Sequence, residues 1–301
     1  MFTRREFITL SARLTALLGL TNAAVPQIAN ALNSLVKNDM PVVWLQGQSC
    51  SGCSVSLLNS VHPGTDELLT QYISLLFHST LSFATGHVSM EVLNKSIDSK
   101  HYYLVVEGSI PEKMPKSCII GEELFTEQVL RASKNAKAII AVGTCASFGG
   151  IPAAQGNPTG AIGLPAYLKK HSISKPLILL PGCPVHPDWI IGTLAHVVQF
   201  GLPSLDTKGR PKYFFSRLIH DQCPRFADYE RQKFAKTFSE EGCLFKLGCL
   251  GPETHADCTI HKWNSGVSSC INAGGPCIGC ASEDFPGKKS FSLYRKGENK
   301  S

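Results

Sequence analysis

For its first two thirds, this 301-residue sequence predicts a doubly wound α/β fold built on a parallel sheet, followed by a region of a different kind. Three observations carry that reading. Five short apolar runs, at residues 42–45, 73–77, 102–106, 138–142 and 177–180, have the length of strands and are apolar nearly throughout, as strands covered on both faces of a parallel sheet must be. The segments between them, such as residues 122–136, can be helices, and strand alternating with helix is the doubly wound pattern. After Gly201 such runs become scarce, and Gly, Pro, Cys and charged residues dominate residues 206–287. That stretch reads as a second domain organised around metal more than around an apolar core. There is no internal repeat at a fixed period and no low-complexity tract.

Before the first strand comes a leader. Arg4 and Arg5 form a paired-arginine head, a mostly apolar stretch covers residues 14–20, and Ala29-Asn30-Ala31 is a small-x-small cleavage site. These elements in that order predict a twin-arginine export signal over residues 1–31 and a periplasmic destination. The apolar stretch is shorter than the ~20 residues that span a bilayer. A cytosolic amphipathic helix that happens to begin with two arginines is the competing reading. The division expected is therefore 1–31 signal, 32–205 α/β domain and 206–301 metal-organised domain. No later apolar run is long enough to cross a membrane, and the tail after Phe291 is polar, so no transmembrane anchor is expected in the mature chain. Removing Arg4, Arg5, Arg13 and Glu6 takes the net charge from +6 to +4, too mild a balance for nucleic acid to be the main partner.

Eleven of the twelve cysteines, with His220, fall into three sets of four. The first is Cys50, Cys53, Cys145 and Cys183. Each lies just past the carboxyl end of a predicted strand, and in an open parallel sheet those ends share one edge. Gly47, Gly52, Gly143 and Gly182 beside them suit tight turns that need a permissive φ. The second set is Cys258, Cys270, Cys277 and Cys280. The third is His220, Cys223, Cys243 and Cys249. Four thiolates, or three and an imidazole, are what a cubane 4Fe-4S cluster takes, one protein ligand per iron. Three sets in one chain suggest a wire for electrons. Other readings exist for each part. Twelve cysteines in an exported chain can make six disulfides. Cys50 and Cys53 alone could be a redox dithiol, and the set that begins at Cys258 could hold a structural zinc ion. Cys118 is left over and reads as a buried apolar thiol.

The motifs together resemble the small, electron-transferring subunit of nickel-iron hydrogenases over nearly the whole chain. The residues that carry the resemblance are Trp-Leu-Gln-Gly-Gln-Ser-Cys-Ser-Gly-Cys (44–53), Leu-Val-Val-Glu-Gly (104–108), Gly-Thr-Cys-Ala (143–146) and Pro-Gly-Cys-Pro (181–184), then His-Asp-Gln-Cys-Pro-Arg (220–225), Leu-Gly-Cys-Leu-Gly-Pro (247–252) and Pro-Cys-Ile-Gly-Cys (276–280). The resemblance implies a flavodoxin-like domain followed by an irregular iron-sulfur domain. It assigns the Cys50 set to a proximal cluster beside the active site of a large subunit, and Cys258, Cys277 and Cys280 to a medial one. The His220 set would hold a distal cluster near the surface.

Where many members carry proline, this chain has Cys270, which supplies a fourth medial ligand and implies 4Fe-4S there. That feature is similar to the nickel-iron-selenium branch, as are residues 57–63 and 117–122. Gly52 and Gly150 stand where oxygen-tolerant members place extra cysteines, and Ser49 stands where many carry glutamate. The resemblance thus implies the electron-transfer subunit of a periplasmic hydrogenase, H2 ⇌ 2H+ + 2e−. The catalytic nickel-iron or nickel-iron-selenium site would lie in a separate large subunit and the acceptor would be a c-type cytochrome. A disulfide-stapled exported binding protein and a stand-alone ferredoxin-like carrier are the alternatives.

Overall fold

The computed structural model describes residues 40–61 and 74–287 apart from residue 83, together with residues 64 and 67 and short pieces between residues 11 and 28. Arg4, Arg5, the cleavage site at 29–31, Ile73 and the tail after Phe291 lie outside the described residues.

Five strands form the central sheet: β1 (Pro41–Gln46), β2 (Ser74–His78), β3 (Tyr103–Glu107), β4 (Ile139–Val142) and β5 (Leu177–Leu180). Their order is β2-β1-β3-β4-β5, and every neighbouring pair is parallel. This is the flavodoxin-type order, in which the winding reverses between β1 and β3 and ligands gather at the carboxyl edge beside that point. The helices of this part are α1 (Gly52–Leu58), α2 (Gly86–Ser99), α3 (Phe125–Asn135), α4 (Gly143–Phe148), α5 (Leu164–Lys170) and α6 (Pro187–Phe200). The helix expected over 122–136 is shorter because Glu123 and Leu124 instead pair antiparallel with Ile119 and Ile120.

Two apolar cores cover the sheet. Val42, Trp44, Val105, Ile140, Val142, Ile178 and Leu180 face Leu57 of α1 and Trp189, Ile190 and Leu194 of α6. Their neighbours Val43, Leu45, Leu104, Val106, Ile139, Ala141 and Leu179 face α2, α3 and α5 through Leu93, Ile97, Phe125, Val129, Leu164 and Leu168. Burial on both faces is why these runs do not alternate with polar residues. Each fully buried Val, Leu or Ile stabilises the fold by about 1.5–3 kcal/mol.

Beyond residue 206 the described residues form isolated bridges, 3-10 turns and the short helices Lys212–Phe215, Phe226–Glu230 and Cys258–His261, with no further strand. The first core nevertheless runs on into this part through Phe214, Phe215, Ile219, Leu244, Ile271 and Cys277. Trp189 marks the join. Its ring stands edge-on to Phe215 at 4.8 Å, and its indole N–H donates to Asp257 at 2.8 Å. Among the described residues no helix is long and apolar enough to cross a membrane.

Candidate metal centres

The sheet delivers the first set to one edge. Cys50 sits in the loop after β1, Cys53 in the first turn of α1, Cys145 in α4 directly after β4, and Cys183 after β5. Their thiols act on one another's charge: Cys145 with Cys50 and Cys183, and Cys53 with both Cys145 and Cys183. Glycines clear the space around the sulfurs. A Cβ on Gly143 would stand 2.5 Å from Sγ of Cys53, one on Gly150 2.8 Å from Sγ of Cys145, and one on Gly52 3.0 Å from Sγ of Cys50. The expectation that Gly47, Gly52, Gly143 and Gly182 serve through a permissive φ holds at Gly143 alone, where φ is +88°. The other three serve close approach. A Cβ on Gly47 would meet the Ser109 carbonyl at 2.6 Å, and one on Gly182 the Pro184 carbonyl at 2.8 Å.

The candidates of the other two sets also lie near one another. Burial raises the Cys258 thiol, and the charges of Cys280, Cys277 and Cys270 raise it further. His220, Cys223, Cys243 and Cys249 line one shared pocket with Arg225. Arg225 braces that cavity: its N–H donates to Sγ of Cys223 at 3.4 Å, and its guanidinium to the carbonyls of Glu240 and Gly242 at 2.8 Å. The His220 ring packs edge-on against Tyr229 at 4.6 Å and Phe226 at 5.1 Å, and both of those rings are part-exposed. Cys118 is half-buried against the second core, apart from the three sets.

The electrostatics suit iron better than a dithiol. Burial raises the Cys53 thiol well above the ordinary range, and the carboxylate of Glu107 raises it further. Burial pushes Cys145, Cys183 and Cys280 up to about 11 and moves Cys258 and Cys277 upward as well. An exchange-active dithiol needs a lowered thiol. These thiols ionise when a bound cation supplies the missing positive charge. Among the described residues no three His, Cys, Asp or Glu side chains are grouped tightly enough to hold a single metal ion. In a cubane each thiolate meets a different iron, so a shared pocket is what is needed. The donor sets and the glycine cradle fit that group.

Sequence reasoning missed the support behind Cys53. Glu107, 1% exposed at the end of β3, accepts from the backbone N–H of Cys53 at 3.1 Å and of Ser54 at 3.3 Å through Oε1. Its Oε2 accepts from the Trp44 indole and the Gln46 amide, both at 3.1 Å, and from the Ser54 hydroxyl. His78 accepts the Thr80 N–H at Nδ1, which leaves Nε2 to donate to Ser54 at 3.0 Å. One carboxylate thereby fixes the first turn of α1. The signal available was a glutamate closing an apolar run immediately before Gly108, whose φ is +90°.

Two family models match this chain. Residues 50–197 match the 20 Kd subunit of NADH ubiquinone oxidoreductase, and residues 215–292 match the C-terminal part of the NiFe/NiFeSe hydrogenase small subunit. The chain is 41% identical to the periplasmic NiFeSe hydrogenase small subunit of Desulfomicrobium baculatum, over 95% of this chain and 97% of that one. It is 37% identical to the hydrogenase-2 small chain of Escherichia coli K12, over 98% and 81%. The solved H2-activated NiFeSe hydrogenase of Desulfomicrobium baculatum superposes with a TM-score of 0.79 at 42% identity, covering 82% of this chain and 95% of that one. The oxidised recombinant NiFeSe hydrogenase of Desulfovibrio vulgaris Hildenborough gives 0.78 at 43%, covering 82% and 94%.

Proposed function

The chain belongs to the small-subunit family of nickel-iron and nickel-iron-selenium hydrogenases, and on that premise we propose that it carries electrons through three 4Fe-4S clusters. It is the electron-transfer subunit of a hydrogenase, whose catalytic metal site is in the large subunit. In the proposed route Cys50, Cys53, Cys145 and Cys183 hold the cluster nearest that site. Cys258, Cys270, Cys277 and Cys280 hold the middle one, and His220, Cys223, Cys243 and Cys249 the last. Each cluster, when bound, takes up and gives back one electron.

Two hydrogen bonds between neighbouring sets support this reading. The hydroxyl of Thr144, next to Cys145, donates to the Cys280 carbonyl, and the backbone N–H of Cys277 donates to Sγ of Cys249 at 3.4 Å. The remaining parts of the proposal are export by the twin-arginine signal of residues 1–31, function in the periplasm, and delivery to a c-type cytochrome beside His220. The D. baculatum relative is a periplasmic protein, which supports the location. The division into 1–31, 32–205 and 206–301 goes with it.

Visible absorption of the purified complex tests the cluster reading. A brown protein that bleaches under H2 is expected. A colourless one, as a disulfide-stapled binding protein would be, contradicts it.

A further inference from the structure

Thr144 precedes Cys145 in α4 and is 1% exposed. Its backbone N–H and its hydroxyl both reach across to other ligand-bearing segments. Its backbone N–H donates to the Gly182 carbonyl at 3.0 Å, and its hydroxyl oxygen accepts from the Gly182 N–H at 2.9 Å. The same hydroxyl donates to the carbonyl of Cys280. Gly182 precedes Cys183, a ligand of the first set, and Cys280 is a ligand of the second. One side chain therefore holds Cys145, Cys183 and Cys280 in a common frame. It does so at the place where Cys183 acts on the Cys280 thiol.

A buried hydroxyl is required for that arrangement. Without it the Gly182 N–H loses its acceptor and the Cys280 carbonyl loses this donor, in a site where water is excluded. Valine has nearly the same shape and cannot do either. Serine can do both.

We propose that Thr144 is a positioning residue that sets the gap between the first and second clusters and so the rate at which an electron crosses it. This rests on the function proposed above. In the step one electron leaves the group held by Cys50, Cys53, Cys145 and Cys183, and one electron arrives at the group held by Cys258, Cys270, Cys277 and Cys280. No bond forms or breaks and no proton moves. Thr144 touches neither H2 nor the nickel site, so it acts on passage and not on the chemistry.

The test compares Thr144→Val and Thr144→Ser in the complete complex. Three things are measured: iron content, hydrogen–deuterium exchange at the nickel site against H2-driven acceptor reduction, and the magnetic interaction between the reduced first and second clusters by electron-spin resonance. The valine variant is expected to keep its iron and its isotope exchange. Its acceptor reduction falls severalfold and the interaction between the clusters weakens, and serine restores both. The proposal is overturned if the valine variant reduces acceptor at the wild-type rate with the interaction unchanged, or if serine restores neither. It is equally overturned if the valine variant loses iron and exchange together with acceptor reduction, because Thr144 then holds the site itself. A wild-type complex without reducible iron-sulfur signals overturns the functional proposal and this one with it. Wild-type signals beside an unaffected valine variant overturn this one alone.

Discussion

The backbone N–H of Cys277 donates to Sγ of Cys249 across 3.4 Å, joining the second ligand set to the third by a single hydrogen bond. A donor aimed at a thiolate stabilises its negative charge, and hydrogen bonds to cluster sulfurs tune potential. The third set thus has a defined inner end at Cys249 and an outer end at His220, where the ring meets Tyr229 and Phe226.

In the proposed relay His220 governs exit. A neutral imidazole leaves its cluster one negative charge short of a four-thiolate set. His220→Cys should keep the fold and the iron and lower the potential of that cluster, with ~59 mV corresponding to tenfold for one electron. Acceptor-linked H2 oxidation should slow severalfold while isotope exchange at the nickel site persists. Equal loss of both would make His220 structural, and unchanged oxidation would place it off the electron path.

In the proposed relay Cys270 decides the type of the middle cluster. Its charge raises the Cys258 and Cys280 thiols. The protein as isolated should lack the electron-spin resonance signal of an oxidised three-iron cluster. Cys270→Pro should produce that signal and raise the potential, since one thiolate charge is gone. A strong three-iron signal in the undamaged wild type would contradict the assignment.

The candidate ligand sets could be drawn up because metal chemistry leaves spacing in a sequence. Cys50-x-x-Cys53 and Cys277-x-x-Cys280 are local, and Cys145 and Cys183 follow apolar runs that mark strand ends. All five runs proved to be strands of one sheet, with shifts of about one residue at their ends, as at Tyr103–Glu107. What stayed hidden was the polar support. Trp44 meets Glu107 and Thr144 meets Cys280 across 63 and 136 positions, and no periodicity connects such partners. The continuity of the first core into residues 206–287 was hidden for a related reason. Phe214, Leu244 and Ile271 lie in short turns and a four-residue helix, and none belongs to a regular element long enough to show a period.

His78 gives the fold a pH dependence. It is 1% exposed, and burial lowers its pKa from 6.5 to about 4, the nearby Glu107 opposing the shift. The unfolded chain therefore binds a proton that the folded one refuses between about pH 6.5 and pH 4, so this contribution to stability is complete above that window and is lost as pH falls through it. At one pKa unit per 1.36 kcal/mol, the loss attributable to His78 is roughly 3 kcal/mol at the acid end. His78→Asn should be less stable than wild type at pH 7.5 and should lose less on going to pH 4.5. Parallel melting curves for the two proteins across that range would refute the assignment.

The proposed export rests on the paired arginines of the leader. Arg4→Lys with Arg5→Lys should leave the chain, and the large subunit docked to it, in the cytoplasm. Cell fractionation with activity staining reads the outcome. Full activity in the periplasm of the double variant would refute the twin-arginine reading.

The central claim is that twelve ligands in three sets hold three cubane clusters, and an iron count on the purified complex tests it most directly. Mössbauer spectroscopy with total iron analysis, corrected for the iron of the large subunit, should give about twelve irons per small chain, all in four-iron clusters. About eleven, with a three-iron component, would contradict the role of Cys270. About eight or fewer would contradict the three-cluster relay itself.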